Sequence, residues 1–125
     1  MNNVVSSVSS TLQAFWSSFG VPAYVEGKVP STAKYPYITY TLGTGEFMST
    51  QSTPGRLWYQ DSSIANSNII VDKIYDRMSN GVDLSVNGHG HLYLVPSSPF
   101  IQYYNGDEVN LQIVYFNITT HFLVL

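Results

Sequence analysis

The chain has no cysteine, which excludes a disulfide framework, a thiolate metal site and a cysteine nucleophile together. It is also poor in charge. Only 10% of its 125 residues are Asp, Glu, Lys or Arg, against roughly 25% in an average soluble protein. With 5 basic and 8 acidic residues the net charge is −3, so no basic field exists to hold a phosphate backbone, and specific nucleic-acid binding is not expected. The first twenty residues contain no Lys or Arg, and Ser and Asn interrupt their apolar residues, so neither a signal peptide nor a membrane span is expected. The apolar stretch from Val109 to Leu125 is likewise read as a strand, because Asn110, Gln112, Asn117, Thr119, Thr120 and His121 punctuate it.

What is abundant is neutral polarity and aromatic surface. Hydrophobic residues reach 44%, with ten Tyr and two Trp, and solubility must come largely from Ser, Thr, Asn and Gln. Such side chains are easier to bury against a protein neighbour than charges are.

The pattern predicts one α+β domain over 1–125, with a mixed, mainly antiparallel sheet and two helices packed on one face. Val4, Val5, Val8, Leu12, Phe15, Trp16 and Phe19 fall within an arc of roughly 120° at helical spacing. Asn2 or Asn3 can cap that helix, Gly20 can take a left-handed conformation past its end, and Pro22 stops it. Strands are expected over 23–29 and 35–42, paired with each other, and over 56–60. A long polar tract, 43–56, reads as a loop or mobile hairpin between them. Asp61, Ser62 or Ser63 can cap a second helix with Ile64, Val71, Ile74, Tyr75 and Met78 along one stripe. Asp72, Lys73, Asp76 and Arg77 make its solvated, ion-paired face. Strand segments follow at 84–86, 91–95, 100–104 and 109–125, with a break from Pro96 to Pro99.

In the last strand Leu111, Ile113 and Tyr115 point one way, and Val114, Phe116 and Ile118 the other. Both sides want burial. Helices on one face leave the second to another layer or to a neighbouring subunit, and Trp58, Val114, Phe116 and Ile118 are the expected oligomer interface. Glu46, Phe47, Met48 and Arg56 are the expected assembly loop. Its apolar pair either tucks against the body or forms a docking tip.

Catalytic, cofactor and metal sites are not expected. His89 and His91 sit two apart with His121 as a possible third ligand, but a glycine turn at Gly88 and Gly90 explains them as solvent-facing, and no acid is expected beside them. Asp107 and Glu108 read as turn chemistry. No nucleophile elbow or phosphate-cradling glycine pattern occurs. The surplus aromatics leave open a small glycan-binding module centred on exposed Tyr and Trp58.

The order of elements resembles a known group. A leading amphipathic helix, then Val21, Pro22, Ala23, Tyr24, a connection through Pro30, Tyr35, Pro36, Tyr37 and Ile38, a second helix, and a final strand after Asp107 and Glu108 resemble the small neck proteins of long-tailed bacteriophages, in particular the tail terminator, or tail completion, family. The resemblance implies a virion structural protein of the tail or neck, assembled in the host cytoplasm. It implies a homo-oligomeric ring, typically of six, that caps the tail tube and joins tail to head. Its partners would be copies of itself, the tail tube protein and the head connector protein, with DNA passing through the ring without specific binding. Other neck proteins and tube proteins share related folds, so another position along neck or tail stays open.

Overall fold

A computed structural model describes residues 3–43 and 45–124. Helix α1 runs from Val4 to Ser17, followed by strands β1 (Ala23–Val25), β2 (Tyr37–Tyr40), β3 (Ser49–Ser52) and β4 (Gly55–Gln60). Helix α2 (Ile64–Met78) precedes β5 (Val82–Val86), β6 (Gly90–Asn105) and β7 (Leu111–Val124). The seven strands form one curled, mixed and mostly antiparallel sheet in the order β1-β2-β4-β7-β6-β5, with β3 paired to the remaining length of β7. Only β1 and β2 run parallel. The fold is α+β, as the sequence pattern predicts.

α1 forms because its apolar residues recur at helical spacing and bury Val8, Leu12, Phe15 and Trp16. Asn3 occupies the N-cap position without a side-chain cap bond, while Gly20 takes φ +88° beyond the helix end, a conformation that costs a glycine nothing. A hydrogen-bond chain ties this helix to the sheet edge. The Tyr40 hydroxyl donates to Gln13 Oε1 at 2.5 Å, and Gln13 Nε2 donates to the carbonyl of Ala23 at 3.0 Å.

α2 is started by Ser63, whose Oγ accepts from Ala65 N, while Asp61 Oδ1 accepts from Ser63 N. Its buried stripe is Ser67, Val71, Ile74 and Met78. The expected stripe is therefore rotated: Ile64 and Tyr75 lie on the exposed side. Ser67 enters the interior in their place because its one hydroxyl proton has two acceptors in reach, the Ile64 carbonyl at 2.9 Å and Gln112 Oε1 on β7 at 3.1 Å, so its burial does not leave the hydroxyl without a partner.

One hydrophobic cluster joins both helices to β1, β2, β4, β5, β6 and β7. From β7 it takes Val114, Phe116, Ile118, Phe122 and Val124. Each large side chain buried this way contributes on the order of 1.5–3 kcal/mol.

Two expectations change in detail. The tract 43–56 is not one loop, since Ser49 to Ser52 pair with Phe122 to Thr119 and Gly55 already begins β4. Backbone pairing to β7 makes β3 a strand, so its mostly exposed polar side chains do not betray it by alternation. The proline break likewise does not end β6. Pro96 pairs with Ile118 and Ile101 with Phe116, so the extra residues bulge out between them. A bulge is where a sheet tolerates proline.

Candidate functional site

The helices cover one face of the sheet and leave the other open. Cross-strand register sets Tyr37, Trp58, Ile113 and Tyr104 in a row across β2, β4, β7 and β6, with Thr39, Arg56, Tyr115 and Gln102 in the next row. Tyr37, Trp58, Ile113 and Tyr115 are half-buried and Tyr104 is half-exposed. No helix or strand of this chain among the described residues lies over them. A depression of about 470 Å³ lined by Arg56, Tyr104, Ile113 and Tyr115 lies within this face.

The rings here hold one another. Tyr35 stacks on Tyr37 with centroids 5.4 Å apart at 11°, and Tyr37 on Trp58 at 6.1 Å and 22°. Trp58 Nε1 donates to the buried Thr39 hydroxyl at 2.9 Å, which locks the indole in place. Arg56 lies 5.3 Å above the Tyr115 ring and 3.7 Å from Glu26. Both members of that ion pair are more than a third exposed, so it orients Arg56 more than it stabilises the fold. At the end of the aromatic stack the Tyr35 hydroxyl donates to Glu108 at 3.3 Å. Burial first, and the Glu108 charge second, push the Tyr35 and Tyr37 hydroxyls above the usual tyrosine range.

The second feature is a tip at 45–48. Glu46, Phe47 and Met48 are exposed, Phe47 by 51% and Met48 by 68%. Its backbone is pinned rather than loose: Met48 N donates to the carbonyl of Phe122 at 2.7 Å, and Ser49 donates to the Glu46 carbonyl through both N and Oγ. Met48 takes φ +70°, a left-handed conformation that costs a non-glycine residue about 1–2 kcal/mol. Thr44, within the expected loop, lies outside the described residues.

The sequence-predicted site residues are thus redistributed. Glu46, Phe47 and Met48 share the tip, but Arg56 belongs to β4 and the open sheet face. Trp58 also lies on that face. Val114, Phe116 and Ile118 do not, being 0%, 0% and 1% exposed in the core beneath the helices, so they cannot reach a neighbouring subunit. The opposite parity of β7, Ile113 and Tyr115, faces outward in their place.

His91 Nδ1 lies 2.9 Å from Asp83 Oδ1 across β5 and β6, correcting the expectation that no acid sits beside the histidines. His121 packs against Tyr93 with the rings tilted by 45°. Among the described residues no three of His, Asp or Glu are grouped to hold a metal. No helix of the described chain is long and apolar enough to cross a membrane.

The class defined here is a two-layer α+β domain with an uncovered aromatic sheet face and a projecting acidic, apolar tip. Comparison with protein-family models, with curated proteins and with solved structures returns no match.

Proposed function

We propose that this chain is a structural assembly protein of a phage neck, forming a homo-oligomeric ring that caps the tail tube and joins the tail to the head. The observation that carries the reading is the open aromatic face: a row of Tyr37, Trp58, Ile113 and Tyr104 across four strands, in a chain with only 10% charged residues. A charge-poor surface rich in large rings is what a protein neighbour covers best, because rings supply area and hydroxyls supply directed bonds. The tail tube and head connector proteins are the neighbours assigned to it, and the net charge of −3 per copy keeps passing DNA from sticking.

A glycan-binding module is less favoured. Sugars stack on free ring faces, whereas Tyr37 has a ring on each side and Tyr35 and Trp58 each give one face to it.

Electron microscopy of particles assembled without the protein tests the assignment. Tails of uncontrolled length, or separate heads and tails, are expected. Normally joined virions would reject it, and a glycan-array signal abolished by Trp58→Ala would replace it with the sugar-binding reading.

A further inference from the structure

Opposite the tip, at the other edge of the sheet, lies a groove of about 520 Å³ between α1, α2 and β5, whose lining includes Ser10, Thr11, Ala14, Phe15, Arg77 and Leu84. Hydroxyl side chains surround a small apolar patch of Ala14 and Leu84, and Arg77 is the cation of the lining. The Arg77 guanidinium is held 5.6 Å above the Phe15 ring. Lys73, one turn earlier on α2, brings its Nζ 3.9 Å from where a Cβ on Gly20 would stand, beside the end of α1. The ion pairs found among the described residues are Arg56–Glu26 and His91–Asp83, so neither Lys73 nor Arg77 has a carboxylate within salt-bridge distance. Their α2 neighbours Asp72 and Asp76 do not supply the pairing that spacing alone suggests.

The tip has the complementary chemistry: a carboxylate on Glu46 beside the exposed Phe47 and Met48. It cannot fill the groove of its own chain. Ser49 pairs with Phe122, Phe122 with Leu92, and Leu92 with Leu84, so tip and groove stand at opposite ends of one row. Three strand spacings put them roughly 14 Å apart, and the tip is tethered to Phe122.

We infer that the Glu46–Met48 tip of one copy seats in the α1–α2–β5 groove of the next, with the Glu46 carboxylate on Arg77 and the Phe47 and Met48 side chains against Ala14 and Leu84. This rests on the reading of the chain as a self-assembling protein and supplies the contact through which it assembles. Two different patches meet, so the contact is heterologous: it runs head to tail and closes into a ring when the rotation per copy permits. Acid meets base over an apolar centre, which sets partner and register together. The left-handed Met48 also gains a purpose, since the strained turn aims both apolar side chains away from the body.

Because the chain has no native cysteine, cross-linking reads the contact directly. Met48→Cys and Ser85→Cys chains, differently tagged, are mixed at high concentration and mildly oxidised. The mixed disulfide is expected to dominate. Same-variant disulfides in equal or greater yield, or no cross-link, would overturn the inference. Independently, Glu46→Arg and Arg77→Glu are each expected to weaken self-association by about tenfold or more in sedimentation equilibrium, and the two in one chain to recover most of the loss. Met48→Gly is expected to weaken it while the isolated chain melts no earlier than wild type, which separates docking from folding. No recovery in the double variant, or unaltered association in Met48→Gly, counts against the contact. Rings that form without this cross-link would defeat the docking inference and leave the neck assignment standing. The cross-link together with normal virions lacking the protein would do the reverse.

Discussion

The indole of Trp16 lies directly on the backbone of Gly55, where an added Cβ would stand 2.4 Å from Trp16 Cη2. This contact lets α1 sit close to the start of β4, with Phe15, Phe19 and Tyr40 around the same indole. Gly55→Ala is expected to destabilise the fold by about 1–3 kcal/mol through overpacking. Combining it with Trp16→Phe should cost less than the sum of the single changes, as urea unfolding of the four chains would reveal. Additive costs would mean that the two residues do not oppose each other.

Thr53 and Thr120 meet hydroxyl to hydroxyl at 2.5 Å in the interior. Thr120→Val alone should cost about 1–3 kcal/mol, because the Thr53 hydroxyl is left buried without its partner. The double valine variant should be more stable than either single one. Equal losses in all three would show that water already serves these groups.

The two parities of β7 make opposite predictions. Phe116→Ala should cost roughly 3–5 kcal/mol of folding stability, as a buried ring does. Tyr115→Ala, on the open face, should cost about 1 kcal/mol or less while impairing particle assembly. Denaturant unfolding paired with a tail-joining assay distinguishes them, and a reversed order would exchange the faces.

Acid should loosen the start of α2. The Asn66 amide, and after it the Ser63 N–H, hold the Asp61 carboxyl below the usual aspartate value. A depressed folded value means that this contribution is complete above the unfolded value and is lost as pH falls through the folded one. Asp61→Asn should therefore unfold at lower urea than wild type at neutral pH, and the gap should close in acid. A gap independent of pH would rule out the carboxylate as its source.

Local chemistry made much of the fold legible. The α1 residues announce their helix by spacing, Gly20 by its place before Pro22, and α2 by the capping cluster around Ser63. The place of Phe47 and Met48 was not legible, since a polar tract allows the pair either to tuck against the body or to project; the exposed outcome belongs to the structure. The inversion of β7 did have a signal. From Val114 to Val124 the even positions are apolar apart from Thr120, whereas Asn117, Thr119 and His121 interrupt the odd ones. Stopping the count at Ile118 hides this difference, and the mixed residues of the first half then look equal on both sides.

The helices, most strands, the low charge and the α+β class follow from spacing, capping and composition along the chain. The fold alone brings Ser49 to Ser52 into a sheet and moves Arg56 from the tip to the open face. Those outcomes depend on which strand lies alongside which and on the face the helices occupy. Contacts between residues distant in sequence set both, and neither periodicity nor propensity encodes them.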